Sequence, residues 1–209
     1  MDYTLLGSLA LVPVFVMAQI YMLVRKMSEP EKMIKALAGL SAEKQALLVQ
    51  HKNWLAANNF QYQSIFQFGS IQVAVFQQAN TQRFCNFNFH QKLSYDMTSH
   101  FDDERSLNTG TSNGIGMFPA IPGSYKQGFP NASIEEAWQH HLQAEEYLMR
   151  KFGIVWKPLT MPYQQSILEG IRRQMSYVRS IPLWPARTLY WFAVTRKRMA
   201  NRSVQQQYP

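Results

Sequence analysis

The chain has 209 residues, with 21 Lys and Arg against 13 Asp and Glu, a net charge of +8, and a hydrophobic content of 46%. This length suits one compact domain with flanking helices rather than two full domains, and the lone cysteine, Cys85, excludes an intramolecular disulfide and fits a reducing compartment. The charge is uneven: residues 57–132 balance, whereas residues 154–209 set nine basic side chains against Glu169 alone, so the basic character belongs to the tail.

From Tyr3 to Val24 nothing ionises except the phenols of Tyr3 and Tyr21. At about 1.5 Å per residue the run reaches roughly 33 Å, enough for a hydrocarbon core of about 30 Å, so an N-terminal transmembrane helix over residues 1–24 is expected. Gly7, Ser8 and Ala10 would allow a close helix contact, and Pro13 a kink. Asp2 precedes the run and Arg25, Lys26, Lys32 and Lys35 follow it. By the positive-inside rule the expectation is a single pass through the cell (inner) membrane, N-terminus outside and the domain cytoplasmic.

Residues 25–58 read as a helical stalk. Ser28, Glu29, Pro30 and Glu31 have the spacing of a capping box and predict a helix towards Ala38. A second helix is expected from Ser41 to about Ala57, with Leu47, Leu48, His51, Trp54 and Leu55 on one face.

Residues 59–157 read as a small α+β domain. From Phe60 the apolar period drops to two: Phe60, Tyr62, Phe66 and Phe68 are expected on one side and Gln61, Gln63 and Gln67 on the other, with Ile71, Val73 and Val75 resuming after a Gly69-Ser70 hairpin turn. Cys85, Phe87 and Phe89, then Leu93, Tyr95, Met97 and Phe101, continue an antiparallel meander of three or four strands. Asn86 and Asn88 join the glutamines on a face that is either solvated or a polar docking surface. Residues 106–130 hold five glycines and three prolines without periodicity and read as a long loop. Its Gly110, Gly114 and Gly116 lack the Lys-Ser/Thr of a phosphate cradle. Ser133 to Phe152, capped by Ser133 and ended by Gly153, predicts the helix that covers the aromatic face.

Residues 158–209 read as a basic tail: an amphipathic helix from Tyr163 to Arg179, then an apolar run from Ile181 to Thr195 too short and too interrupted by Pro182, Pro185 and Arg187 to cross a bilayer. Arg25, Lys26, Arg172, Arg173, Trp184, Arg187, Trp191, Arg196, Lys197 and Arg198 are the residues expected to touch a bilayer with anionic headgroups, unless the tail packs on the protein itself. Nucleic acid is not expected, since no recognised module surrounds these residues.

The candidates for chemistry are few. Glu136 with His140 and His141 with Glu145 are spaced i, i+4, and imidazole with carboxylate suits zinc or iron, with His90, His100 or Asp103 as further ligands. Adjacent histidines point about 100° apart on a helix, which opposes a shared ion. No cofactor signature and no catalytic motif is present. The leading functional expectation is a membrane-anchored, non-catalytic adaptor or assembly subunit that contacts a partner protein or a second copy. The alternatives are a membrane-bound enzyme with its site on the 106–130 loop and the 133–152 helix, and a lipid-binding domain.

Overall fold

The period-two stretch that begins at Phe60 becomes the centre of a seven-stranded sheet. A computed structural model of the protein describes residues 3–102, 104–112, 116 and 118–209, with the side chains of residues 3–13 outside the described set. The strands, β1 Ile34–Ala36, β2 Phe60–Phe68, β3 Ile71–Gln78, β4 Arg83–Phe89, β5 Leu93–His100, β6 Ser106–Gly110 and β7 Ser124–Gly128, lie side by side in chain order. All neighbours are antiparallel except β6 and β7. Phe68 pairs with Ile71 across Gly69-Ser70, and Gly69 takes φ +59°, a conformation that costs glycine least. Two strands thus fall inside the stretch read as a loop, because β6 and β7 have no alternating apolar pattern to announce them.

One extra residue decides which side chains share a face. The β2–β3 register shifts between Tyr62 and Ser64, leaving Gln63 as a β-bulge. The bulge reverses the alternation. Phe60 stacks on Trp54 and meets Trp138 on one face, while Phe66 lies with Val73, Val75 and Phe84 on the other. The expectation that Phe60, Tyr62, Phe66 and Phe68 point the same way is therefore corrected.

Both faces are covered. The helices α2 Ala42–Val49 and α3 Lys52–Ala57 replace the single predicted helix, and α4 runs from Ile134 to Phe152. α4 begins with a complete capping box between Ser133 and Glu136 and ends at Gly153 with φ +60°. Ala137 and Trp138 of α4 pack with Leu55 on Phe76, Cys85, Phe87 and Met97. On the opposite face α5, Tyr163–Ser180, sets Tyr163 flat on Phe84 at 3.7 Å and Ile167 against the Phe66 cluster. The polar face of the sheet is thus partly roofed, and Asn86, 8% exposed, donates to the Tyr163 hydroxyl at 2.8 Å.

The N-terminal segment corrects the membrane expectation. It forms one helix, α1, from Tyr3 to Met27. Among the described residues, however, no helix is long and apolar enough to cross a membrane. Its last turns have protein neighbours. Val24, 1% exposed, packs with Met175 and Val178 of α5 and with Phe118, and Tyr21 stacks on Trp184 at 5.7 Å. These turns set one side, Ile20, Leu23, Val24 and Met27, against the protein's own helices, and the single-pass topology with a cytoplasmic domain, which presupposed a crossing, falls with the spanning helix. The contacts expected of Gly7, Ser8, Ala10 and Pro13 lie outside the described side chains. Ser28 does not start a new helix: its hydroxyl bonds the Val24 carbonyl at 2.8 Å and closes α1, and Pro30–Lys32 makes only a single 3₁₀ turn before β1.

The apolar run near the C-terminus becomes α6, Trp184–Tyr190, continued through a π-helical turn at Trp191–Thr195 into α7, Arg196–Met199; α8 is Val204–Gln207. α6 packs on α1, the self-packing alternative for this tail. Val204 is fully buried with Phe101, Leu107 and Leu148.

Candidate functional site

Four groups of side chains stand out from the fold. The first is a buried polar chain between α4 and the sheet. Ser99, Thr109 and Gln127 of β5, β6 and β7 point at His141 and Glu145 of α4, and all five are 2% exposed or less. Their hydrogen bonds run in one direction. The Ser99 hydroxyl donates to Glu145 Oε1 at 2.8 Å, so its oxygen accepts from His141 Nε2 at 2.7 Å. That assigns the imidazole proton to Nε2 and leaves Nδ1 to accept from Thr109 Oγ1 at 2.9 Å. Thr109 in turn accepts from Gln127 Nε2 at 2.9 Å, and Gln127 Oε1 accepts the Val204 backbone N–H at 2.9 Å. At the far end Arg83 grips Glu145 through Nε and Nη2, with the shortest contact 2.6 Å, while its guanidinium lies over Trp156.

Every donor in this chain has an acceptor, which is what a polar group must find once it leaves water. Burial, and secondarily the Arg83 charge, press the His141 pKa down to about 3. The imidazole is neutral at pH 7. Ser99, His141 and Glu145 are also the residue types of a hydrolytic triad, but the arrangement differs: in a triad the carboxylate orients the histidine through Nδ1. Here Nδ1 faces Thr109, the carboxylate holds the serine directly, and no substrate reaches a serine that is 0% exposed.

The second group lies on the α5 face. Asn88 donates to Asp96 Oδ2 at 2.7 Å, and Lys126 donates to Gln174 Oε1 at 3.2 Å. Desolvation raises the Asp96 pKa to about 6 against the opposing pull of Asn88 and Lys126, and lowers Lys126 to about 8. Both ions therefore weigh against folding at pH 7. Asp96→Asn keeps an acceptor for Asn88 and is expected to raise stability at pH 7 by about 1–2 kcal/mol in urea denaturation. A loss of stability would mean that the ionised pair is favourable.

Third, a groove of about 400 Å³ opens on the same face beyond the N-terminus of α5, lined by Gln63, Ser64, Gln77, Gln82 and Phe84 with Leu159 and residues 161–164. Fourth, large apolar side chains stand in solvent on α1 and on the α6 stretch that packs against it: Val14, Phe15, Tyr21 and Met22, with Leu183, Tyr190 and Phe192. Phe15 is 65% and Leu183 81% exposed.

The sequence-predicted residues distribute as follows. His141 and Glu145 meet, but around Ser99 rather than an ion; Glu136 is spent on the capping box, and His140 stacks on Phe129 at 3.9 Å. Among the described residues no group of three or more His, Cys, Asp or Glu is placed to hold a metal ion; Asp103 and Gly114 lie outside the described residues. Of the basic and aromatic set, Arg172 pairs with Glu31 and Glu169, Arg173 reaches the Glu104 carbonyl, and Arg196 lies over Phe192. Trp184 is half-buried against Tyr21 and Trp191 is half-buried, while Arg25, Lys26, Arg187, Lys197 and Arg198 are exposed. Ser99, Thr109 and Gln127 were missed, although Ser99 holds an inward place in the alternation of Met97 and Phe101.

Fold and site together describe an α+β protein with a sealed polar interior and an open apolar corner. No family model matches the chain, and no curated protein or solved structure matches it either.

Proposed function

We propose that the protein is a non-catalytic interaction or assembly subunit that docks a partner protein at the corner formed by α1 and α6. The observation that carries this reading is that seven large apolar side chains are exposed on these packed elements, Val14, Phe15, Tyr21 and Met22 on α1 and Leu183, Tyr190 and Phe192 on α6 and its two flanks. Scattered apolar residues are normal on a surface, whereas a group on two packed helices marks a place where water is to be displaced. Exposed Arg25 and Lys26 of α1, Arg187 of α6, and Lys197 and Arg198 of α7, which continues α6, add cations to these helices. Those cations fit a partner whose apolar patch is edged by carboxylates, and they disfavour a second copy, which would bring like charges together. The π-helical turn at Trp191–Thr195 adds weight, since such turns recur at functional positions.

A catalytic reading has less to rest on, because the constellation of Ser99, His141 and Glu145 found among the described residues is enclosed. The test is a photoreactive residue placed singly at Phe15, Met22 or Leu183, with Asn53 on α3 as control, in the cell that makes the protein. One discrete adduct is expected from all three corner positions. It should weaken at high salt and disappear in Leu183→Asp, and the purified partner should bind the chain at one to one. Adducts of equal yield from Asn53, or none from the corner, overturn the reading.

A further inference from the structure

The outer edge of β2 is open where β1 stops. β1 pairs only with Phe66–Phe68, and the Leu37 N–H on the Ile65 carbonyl is the last link between them. Ahead of it, among the described residues, no backbone group bonds the outer side of Phe60 to Gln63, and the side chains of Gln61, Tyr62 and Gln63 are exposed on both faces. The register tells which backbone groups are left over. The Ala79 N–H bonds the Asn59 carbonyl at 2.9 Å, while the Asn59 N–H turns to the Ala56 carbonyl, so the Asn59 carbonyl marks the inward, bonded side of β2. By alternation Gln61 is bonded to Gln77, and the N–H and C=O groups of Phe60 and Tyr62 turn outward. The bulge at Gln63 ends this regular stretch.

Natural edges are usually blunted by charge or proline. Phe60 to Ser64 has neither. Beside this edge lies the groove of about 400 Å³, lined by Gln63, Gln77 and Gln82 together with Leu159 and Met161; the Gln77 amide nitrogen already donates to the Thr81 carbonyl at 2.7 Å, leaving its oxygen as an acceptor. Nothing in that set is charged, so the groove matches a neutral side chain that both donates and accepts.

We infer that the open edge of β2 takes up an extended, uncharged segment of another protein as an added strand, with an Asn or Gln side chain of that segment seated in the groove. The outward groups of Phe60 and Tyr62 supply the main-chain bonds, and the groove supplies the selection, the division of labour found when peptides extend a sheet. A second copy of the chain fits less well. Two-fold pairing centred on Gln61 engages only Phe60 to Tyr62 from each copy, far less than the ~800 Å² per partner of a stable interface, and leaves the groove empty. This surface is separate from the α1–α6 corner and stands or falls on its own.

The experiment is panning of random displayed peptides on the full chain, with the Tyr62→Pro variant as counter-target. Proline there removes only an outward N–H, so the sheet is kept, and an unchanged melting temperature verifies it. The expected result is a family of β-branched peptides with an amide at one fixed position, bound at least tenfold more weakly by Tyr62→Pro. Gln77→Leu should change the preference at the amide position alone. Should Tyr62→Pro fail to fold, Gln61→Lys with Gln63→Lys puts cations on the edge without touching the ladder and is expected to give the same loss. The inference is overturned by panning that enriches nothing, by peptides that bind the edge variants as tightly, or by Gln61→Cys chains that cross-link to one another under mild oxidation and take up no peptide.

Discussion

Arg83→Met is expected to lower the folding stability by about 3 kcal/mol, near the bottom of the ~3–5 kcal/mol that follows when one member of a buried ion pair is removed. The lower end applies because the Arg83 side chain is 25% exposed; the Glu145 side chain it abandons is only 3% exposed. What costs stability is the carboxylate left with the Ser99 hydroxyl as its remaining donor, not the loss of an attraction. The second substitution is therefore informative. Adding Glu145→Gln to Arg83→Met removes the stranded charge and keeps an acceptor for Ser99, and it should recover more than half of the loss. Urea denaturation of the wild type and of the two variants at pH 7 checks this. If the double variant is no more stable than Arg83→Met, the pair holds the fold by attraction and packing, and the chain from Gln127 to Arg83 is not limited by desolvation.

The second large effect is on acid stability, and its sign comes from two groups that oppose each other. His141, with a pKa lowered to about 3, refuses in the folded state a proton that the unfolded chain accepts below about pH 6.5. Its contribution is fully present above that pH and is lost as the pH falls, at about 1.4 kcal/mol per pH unit. Asp96 runs the other way. With its pKa raised to about 6, it takes up a proton in the folded state before the unfolded chain does, and so favours folding as the pH falls from about 6 to the ordinary aspartate value of 3.8. Between those limits the two nearly cancel, and the wild type should hold its stability until about pH 4 and then lose it steeply. Asp96→Asn uncovers His141 and should start the decline near pH 6.5. His141→Gln uncovers Asp96 and should gain stability between pH 6 and 4. His51, also lowered by burial, adds a smaller loss in the direction of His141 and is common to all three chains. Chemical denaturation at half-unit steps from pH 7 to 3 reads all three profiles. Parallel profiles would show that neither group is shifted as its burial demands.

The sheet and its main covering helix were legible in the sequence because their signals are local. The Phe60 to Phe101 alternation gave β2 to β5, and Ser133, Glu136 and Gly153 bounded α4 within a residue. What was not legible depends on contacts made far along the chain. The bulge at Gln63 carries no sequence mark, and it sent Phe66 to the face opposite Phe60. β6 and β7 are five residues each and take their partners from the sheet rather than from any pattern of their own. The run from Tyr3 to Val24 satisfied a hydropathy argument that looks only at the run; whether Val24 and Tyr21 have protein neighbours depends on Met175, Val178 and Trp184, more than 150 residues away. The polar chain was half visible. His141 and Glu145 were singled out by their spacing, but Ser99, Thr109 and Gln127 come from three strands that no spacing rule connects.

The hydrogen-bonded chain ends at the backbone N–H of Val204, which lies beyond all seven strands in the sequence. During synthesis the ribosome releases Gln127 and His141 well before it releases Val204, so a nascent chain stalled near residue 190 has its sheet and α4 outside the exit tunnel with Gln127 Oε1 still seeking a donor. Such stalled chains should be cleaved by protease far faster than chains in which Val204 has cleared the tunnel, because only then does Gln127 gain its donor.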